Sequence, residues 1–274
     1  MDQERTVFFV SDRTGITAET LGNTLLTQFD SLHFQRITLP FVDTQEHARE
    51  ARARIDAQRA QTGVRPLVFS TLVDPDVRAI VAHCDGVFLD FFDAFVRPVE
   101  QELGLASSRT LGRSHGLVDP AGYDVRMDTV NFSLGTDDGL AVSRYAKADI
   151  ILLGVSRSGK TPTCLYLALQ FGIRAANYPL TDEDLEPGCL PALLESHRPR
   201  LYGLTIDPER LQTIRAARRP GGRYASAVQC RDEVRKAEAL FREQGIRFLN
   251  TTHLSIEEIT TTILHQCKLA RRLY

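Results

Sequence analysis

The sequence predicts an α/β protein in two parts, each built on a mainly parallel sheet, and three observations carry that prediction. Short apolar runs alternate with charged or amphipathic helical stretches along most of the 274 residues, the pattern of parallel strands with helices on both faces. The alternation breaks between about 104 and 144, where Ser107, Ser108, Gly112, Ser114, Gly116, Pro120 and Gly122 crowd together. Beyond the break, Gly154-Val-Ser-Arg-Ser-Gly-Lys-Thr161 fills all four fixed positions of G-x-x-x-x-G-K-[ST], a loop that cradles phosphates. The first part is therefore 1–144, ending in a long polar connection, and the second is 145–274, a nucleotide-binding domain of the phosphate-loop kinase type.

In the first part Val7 to Val10 is an apolar strand, followed by a polar turn and a helical pattern through Leu21, Leu25, Leu26 and Phe29. Strands at 37–42, 67–70 and 86–92 alternate with helices at 44–61, 74–83 and 96–103. In such sheets ligands collect beyond the carboxyl ends of strands, which is where Ser11, Asp12, Thr14, Gly15 and Thr17 stand. These residues either hold a phosphate or phosphorylated side chain at a helix N-terminus or cap that helix. Within the connection, His115 has no apolar pattern around it to make it a core histidine. Arg126 is either a phosphate clamp or a solvated ion-pair partner. Asp137-Asp-Gly139 reads as a tight turn in preference to a metal site, because Asp and Gly both favour turn geometry.

The second part opens with Asp149 to Gly154, a β-branched strand leading directly into the loop, and Thr163 to Phe171 follows with helical spacing. Gly154, Val155, Ser156, Arg157, Ser158, Gly159, Lys160 and Thr161 are the expected nucleotide-binding residues. Loop N–H groups and the helix N-terminus supply partial positive charge, and Lys160 a full one. Thr161 is placed for magnesium. Pro162 falls in the first helical turn, where its missing N–H has no intrahelical partner. A strand at 175–178, a helix near 190–196 and a strand at 201–207 come next. Asp207 then either anchors the magnesium from a strand end or caps the helix beginning at Pro208. Arg210, Arg215, Arg218 and Arg219 make that helix basic, a feature more often solvated than functional. A strand at 246–249 leads to a last helix opened by Ser255 and Glu258, a capping box.

Composition removes several classes of function. Lys plus Arg is 33 against 35 for Asp plus Glu, a net charge of −2, so no global footprint for nucleic acid or an anionic membrane exists. No apolar run reaches the roughly 18 residues of a membrane span, and the amino terminus lacks a signal-peptide pattern, so a cytoplasmic protein is expected. The five cysteines are scattered singly, which suggests neither a disulfide framework nor a zinc site.

Taken together, Val7-Phe-Phe-Val-Ser-Asp-Arg-Thr-Gly-Ile-Thr-Ala-Glu19, the stretch Asp149 to Tyr166, and Ser255-Ile-Glu-Glu-Ile259 resemble the phosphoenolpyruvate synthase regulatory protein family. Pro40-Phe-Val-Asp-Thr44, Ala176-Asn-Tyr-Pro-Leu180 and Gly203-Leu-Thr-Ile-Asp-Pro208 support the likeness, which covers nearly the whole chain. It implies an ADP-dependent kinase that inactivates phosphoenolpyruvate synthase (pyruvate, water dikinase) on a threonine. It also implies a phosphorylase activity that uses inorganic phosphate to remove the group and releases pyrophosphate. Lys160, Arg157, Asp12 and His115 become the expected catalytic residues, with ADP and phosphate as substrates, magnesium as cofactor, the synthase as partner, and a homo-oligomer left open. The sister family acting on pyruvate, phosphate dikinase is the nearest alternative, and a small-metabolite kinase is the alternative in another substrate class. Met127 departs from the isoleucine common after Arg126 in the synthase regulatory family it resembles.

Overall fold

A computed structural model describes residues 4–108, 120–139, 141–186 and 188–273, and in it the chain divides into two compact units, Met1–Val118 and Asp119–Tyr274. Each unit carries a four-stranded sheet whose described strand pairs are all parallel.

The first sheet has the order β2-β1-β3-β4, from β1 (Glu4–Val10), β2 (His33–Leu39), β3 (Leu67–Ser70) and β4 (Val87–Asp90). Its helices are α1 (Ile16–Leu26), α2 (Gln45–Thr62), α3 (Pro75–Ala82) and α4 (Phe91–Leu103). The continuous apolar run of β1 follows from having both faces covered. Phe8 and Val10 pack with Ala48, Ala51 and Ile55 of α2 and Val77 and Val81 of α3. Val7 and Phe9 pack with Ala18 and Leu26 of α1 and with Phe69 and Phe91. Helix α1 buries Ala18, Gly22 and Leu26 and leaves Leu21 and Leu25 exposed, as is Phe29 beyond its end, so of the expected apolar pattern only Leu26 faces the sheet. A Cβ at Gly22 would lie 2.5 Å from the ring of Phe9 and 2.8 Å from that of Phe69. Small residues thus let the helix press onto these two stacked rings, with Leu26 beside them, while Leu21 and Leu25 stay exposed. Strand β4 stops before Phe91 because the Asp90 carboxylate accepts from the N–H of Asp93 at 2.9 Å and caps α4.

The second sheet repeats the strand order as β6-β5-β7-β8, from β5 (Ile150–Gly154), β6 (Ala175–Pro179), β7 (Leu201–Thr205) and β8 (Phe248–Asn250). Its helices are α5 (Pro120–Gly135), α6 (Lys160–Phe171), α7 (Asp182–Leu185), α8 (Pro208–Arg218), α9 (Ala227–Glu243) and α10 (Ile256–Cys267). Ile150 and Leu152 face α6 and α10, while Ile151 and Leu153 face α8 and α9. Helix α5 lies inside the stretch that reads as a connection, so residues 120–139 fold with the second unit rather than the first. Its apolar periodicity is weak because hydroxyls make much of its packing. Thr129 donates to the carbonyl of Ala168 at 3.1 Å and Ser133 to that of Ala175 at 2.7 Å. Residues 192–200 form a run of 3₁₀ turns containing Pro199 in place of the expected helix. Helix α9, absent from the sequence reading, buries Cys230, Val234, Ala237, Leu240 and Phe241 at helical spacing. The capping box of α10 forms as expected, with Ser255 Oγ accepting from Glu258 N and Glu258 accepting from Ser255 N. No helix among the described residues is long and apolar enough to cross a membrane.

A phosphate-binding loop as candidate active site

Strand β5 is buried along its whole length and delivers the chain to the loop at Gly154. A Cβ at Gly154 would overlap the carbonyl oxygen of Leu204, so the close passage of β7 requires glycine here. Gly159, at φ 92°, caps α6 without a side-chain bond. Arg157 takes φ 76°, a left-handed conformation costing a non-glycine residue on the order of 1–3 kcal/mol.

Most loop carbonyls are fixed by side-chain donors. Lys160 Nζ donates to Gly154 O and Val155 O, both at 2.9 Å. Arg215 Nη2 donates to Ser156 O at 3.1 Å, Thr251 Oγ1 to Ser158 O at 3.2 Å, and Thr163 Oγ1 to Gly159 O at 2.8 Å. The first N–H groups of α6 lack intrahelical acceptors by construction, which suits them to an anion. Lys160 is itself buried, and burial pushes its pKa down to about 8 against the opposing pull of Asp138 and Asp137. The ammonium form therefore still predominates at neutral pH. Ser158 Oγ is fully buried without a hydrogen-bond partner among the described residues, an orphan that an anion in the loop would satisfy.

On the β6 flank, Thr161 Oγ1 donates to Asp137 Oδ1 at 2.8 Å. Asn177 of β6 donates from Nδ2 to the same carboxylate oxygen and accepts from the N–H of Asp138 at 3.1 Å. Tyr145 holds this strand from below, donating to Asn177 O at 2.7 Å. Asp137-Asp-Gly139 is indeed a turn, with Asp138 at φ 50°, and that turn carries a carboxylate to the phosphate-loop threonine. Asp207 follows β7, on the opposite side of β5 from β6. Its Oδ1 accepts from Glu209 N at 2.9 Å and Arg210 N at 3.1 Å, capping α8. The structure thus joins Thr161 to Asp137 and Asn177 and leaves Asp207 engaged elsewhere. Asp137, Thr161 and Asn177 offer hard oxygen donors of the kind magnesium takes.

Behind the loop stands a brace that the sequence reading did not isolate. Arg215 of α8 is buried, and its guanidinium grips Glu233 of α9 through two bonds of 3.1 and 2.6 Å. It also lies 4.4 Å from the ring centroid of Tyr224. The Tyr224 hydroxyl meets Ser156 Oγ at 3.1 Å. The detectable signal was Leu211 four residues before Arg215, which puts both on the inward face of α8.

In the first unit, Ser11 Oγ accepts from Arg13 N at 3.2 Å and Asp12 Oδ2 from Val73 N at 3.0 Å. Asp12 is buried, and burial raises its pKa against the lowering effect of the Val73 bond. Gly15, at φ 84°, precedes α1 without any side-chain cap, so neither Ser11, Asp12 nor Thr14 plays that part; Thr14 is exposed and Thr17 half-buried. Arg126 donates to Leu169 O at 3.1 Å, nine residues along α6 from Lys160 and hence about 13 Å from it at 1.5 Å per residue. It is therefore tied to the far end of that helix. His115 lies outside the described residues.

Residues 7–264 match the model of a protein family described as kinase/pyrophosphorylase. A relative from Alkalilimnicola ehrlichii is 56% identical over 273 residues, covering 100% of this chain and 99% of its own length. One from Halorhodospira halophila is 56% identical over 274 residues and 100% of each chain, and one from Pseudomonas aeruginosa (strain LESB58) is 50% identical over 272 residues and 99% of each. All three bear the name "Putative phosphoenolpyruvate synthase regulatory protein".

Proposed function

The chain belongs to the kinase/pyrophosphorylase family, and from that premise we propose that it regulates phosphoenolpyruvate synthase by opposed phosphoryl transfers. In one direction it moves the terminal phosphoryl group of ADP to a threonine of the synthase. In the other, inorganic phosphate takes the group back as pyrophosphate. The observation that carries this reading is the phosphate loop itself, with its carbonyls held by side-chain donors and Lys160 buried against it. The names of full-length relatives supply the partner.

In the kinase direction the threonine oxygen forms a bond to the terminal phosphorus of ADP, the bond from that phosphorus to the bridging oxygen breaks, and AMP leaves. In the phosphorylase direction an oxygen of inorganic phosphate attacks phosphothreonine, the threonine oxygen leaves with a proton, and pyrophosphate forms. Both are in-line displacements governed by positioning and charge. Lys160, with Arg157 beside it, would neutralise the phosphoryl oxygens, the N–H groups at the start of α6 would hold the linked phosphates, and Ser158 would donate its free hydroxyl. Magnesium held at Thr161 and Asp137 would add neutralising charge to the phosphates. In the first unit Asp12, with Ser11, Thr14, Gly15 and Thr17, is the proposed acceptor-handling loop.

The test uses ADP labelled in its terminal phosphate, with purified phosphoenolpyruvate synthase, a pyruvate, phosphate dikinase and small acceptors in separate reactions. Label on a synthase threonine, followed by labelled pyrophosphate when phosphate is added, is the expected result. Label on the dikinase alone would move the target to the sister enzyme, and label on small acceptors alone would make this a metabolite kinase.

A further inference from the structure

Phe41, in the turn that joins β2 to α2, has φ 59°. A bulky residue there is a genuine outlier, and glycine would follow the same path without strain. What fixes the path is the neighbouring loop: Phe41 N–H donates to Arg13 O and Val42 N–H to Ser11 O, both at 2.9 Å. Those bonds are made by the backbone and ask nothing of the side chain. The ring is 56% exposed, so packing within the fold does not account for it either. Beside it opens a cleft of about 230 Å³ with Leu39, Pro40, Val42 and Ala51 in its wall, and a cavity of about 150 Å³ already admits benzene. At the far end of the same loop, Ile16 opens α1 and is 58% exposed.

We propose that Phe41 recognises the protein acceptor: its ring and the cleft beside it receive an apolar side chain from the segment that carries the threonine, and so hold that threonine at the β1 loop. Strain is retained where a ligand is met, and the ligand here is apolar. Asp43 is paired with His47, and the cleft holds one carboxylate, Glu50, against one guanidinium, Arg54, so no excess charge draws a phosphate. Exposed aromatic and aliphatic side chains in one patch are the chemistry of a protein contact. The patch is continuous with the loop through the two backbone bonds to residues 11 and 13, which fix it relative to Ser11 and Asp12. This rests on the acceptor reading above and adds what selects the acceptor, a contact outside the threonine itself. Both directions of transfer use that acceptor, so both depend on Phe41.

Initial rates of label transfer from ADP to purified phosphoenolpyruvate synthase, measured with the full chain over a range of synthase concentration, test the assignment. Phe41→Gly should raise KM for the synthase about tenfold, the loss of an aromatic anchor, while kcat and KM for ADP stay within about twofold of wild type. In the phosphate-dependent reaction KM for the phosphorylated synthase should rise by the same factor. The melting temperature of Phe41→Gly should stay at or above that of wild type, because glycine takes this backbone conformation without strain. Phe41→Tyr, which keeps the ring, should keep the wild-type KM. An unchanged KM for the synthase in Phe41→Gly, a loss confined to kcat, or a tyrosine variant no better than glycine overturns the proposal and leaves the acceptor reading standing. Wild-type protein that labels no synthase overturns both.

Discussion

The two units place a loop at the same point of the same topology and fill it with opposite charge. In both, the second strand of the sheet order leads through a short turn to a helix preceded by a left-handed glycine, Gly15 in the first and Gly159 in the second. The second loop buries a lysine and is fixed by bonds from Lys160, Arg215, Thr251 and Thr163. The first buries an aspartate, and that carboxylate accepts an N–H from the turn after β3. A strand-to-helix turn at a topological switch point is thus only a location. What distinguishes the two loops is the side chain buried in each, a lysine at 160 and an aspartate at 12.

The largest expected effect breaks the brace of the second loop. Arg215→Ala leaves Glu233, 12% exposed at its side chain, without its cation and with only Gln229 as a partner, which should cost up to about 3 kcal/mol of stability. Arg215→Met with Glu233→Leu should recover much of that stability in chemical denaturation while ADP affinity stays low, because Ser156 O remains unheld. Normal ADP affinity in the double variant would show that the brace serves the fold alone.

Next in size is the charge itself. Lys160→Ala should slow phosphoryl transfer on the order of a hundredfold or more with the circular dichroism spectrum unchanged. If one pocket serves both directions, kinase and phosphorylase rates fall together, and ADP inhibits the phosphorylase competitively. A variant that loses only the kinase would put inorganic phosphate in another loop, the one after β1 being the first to examine.

The proposed magnesium flank comes third. Manganese binding in the presence of ADP, followed by electron paramagnetic resonance, should weaken about tenfold or more in Asp137→Asn and change little in Asp207→Asn, whose amide oxygen still caps α8. The opposite ranking would return the metal to the β7 side.

These residues also mark where the sequence stops being readable. Gly154, Gly159, Lys160 and Thr161 are legible because a phosphate loop is local: eight consecutive residues define its backbone path, and the flanking strand and helix are contiguous with it. Asp137, Arg215, Tyr224 and Thr251 come to the same loop from four separate segments, and each looks ordinary in its own. Asp137 satisfies the chemistry of a turn, and Arg215 sits among three other arginines on and just after one helix. Helix α5 escaped notice for a related reason, since hydroxyl-to-carbonyl bonds from Thr129 and Ser133 leave no apolar stripe to count. In α1 only Leu26 of the expected pattern faces the sheet, because the rest of the contact is made by Gly22 and Ala18.

The smallest effect sharpens the comparison most, because it asks why the first loop keeps a buried acid at all. Burial raises the Asp12 pKa in the folded protein above its unfolded value. Below the unfolded pKa both states carry the proton and the side chain costs nothing extra. As pH rises through the unfolded and then the folded pKa, the folded state is left holding a buried charge, and stability falls. Asp12→Asn removes that titration and keeps an oxygen for the N–H of Val73. Its melting temperature should therefore exceed that of wild type at pH 7 by an amount worth on the order of 1 kcal/mol, and the gap should close as pH falls toward 4. Destabilisation at pH 7 would mean that the carboxylate serves the fold. A more stable Asp12→Asn that also loses phosphorylation of the synthase would identify an acid held at a cost in stability for its chemistry, as functional sites often are. A more stable variant with both activities intact would leave the β1 loop out of catalysis, and the second unit would have to supply acceptor handling as well as the phosphate site.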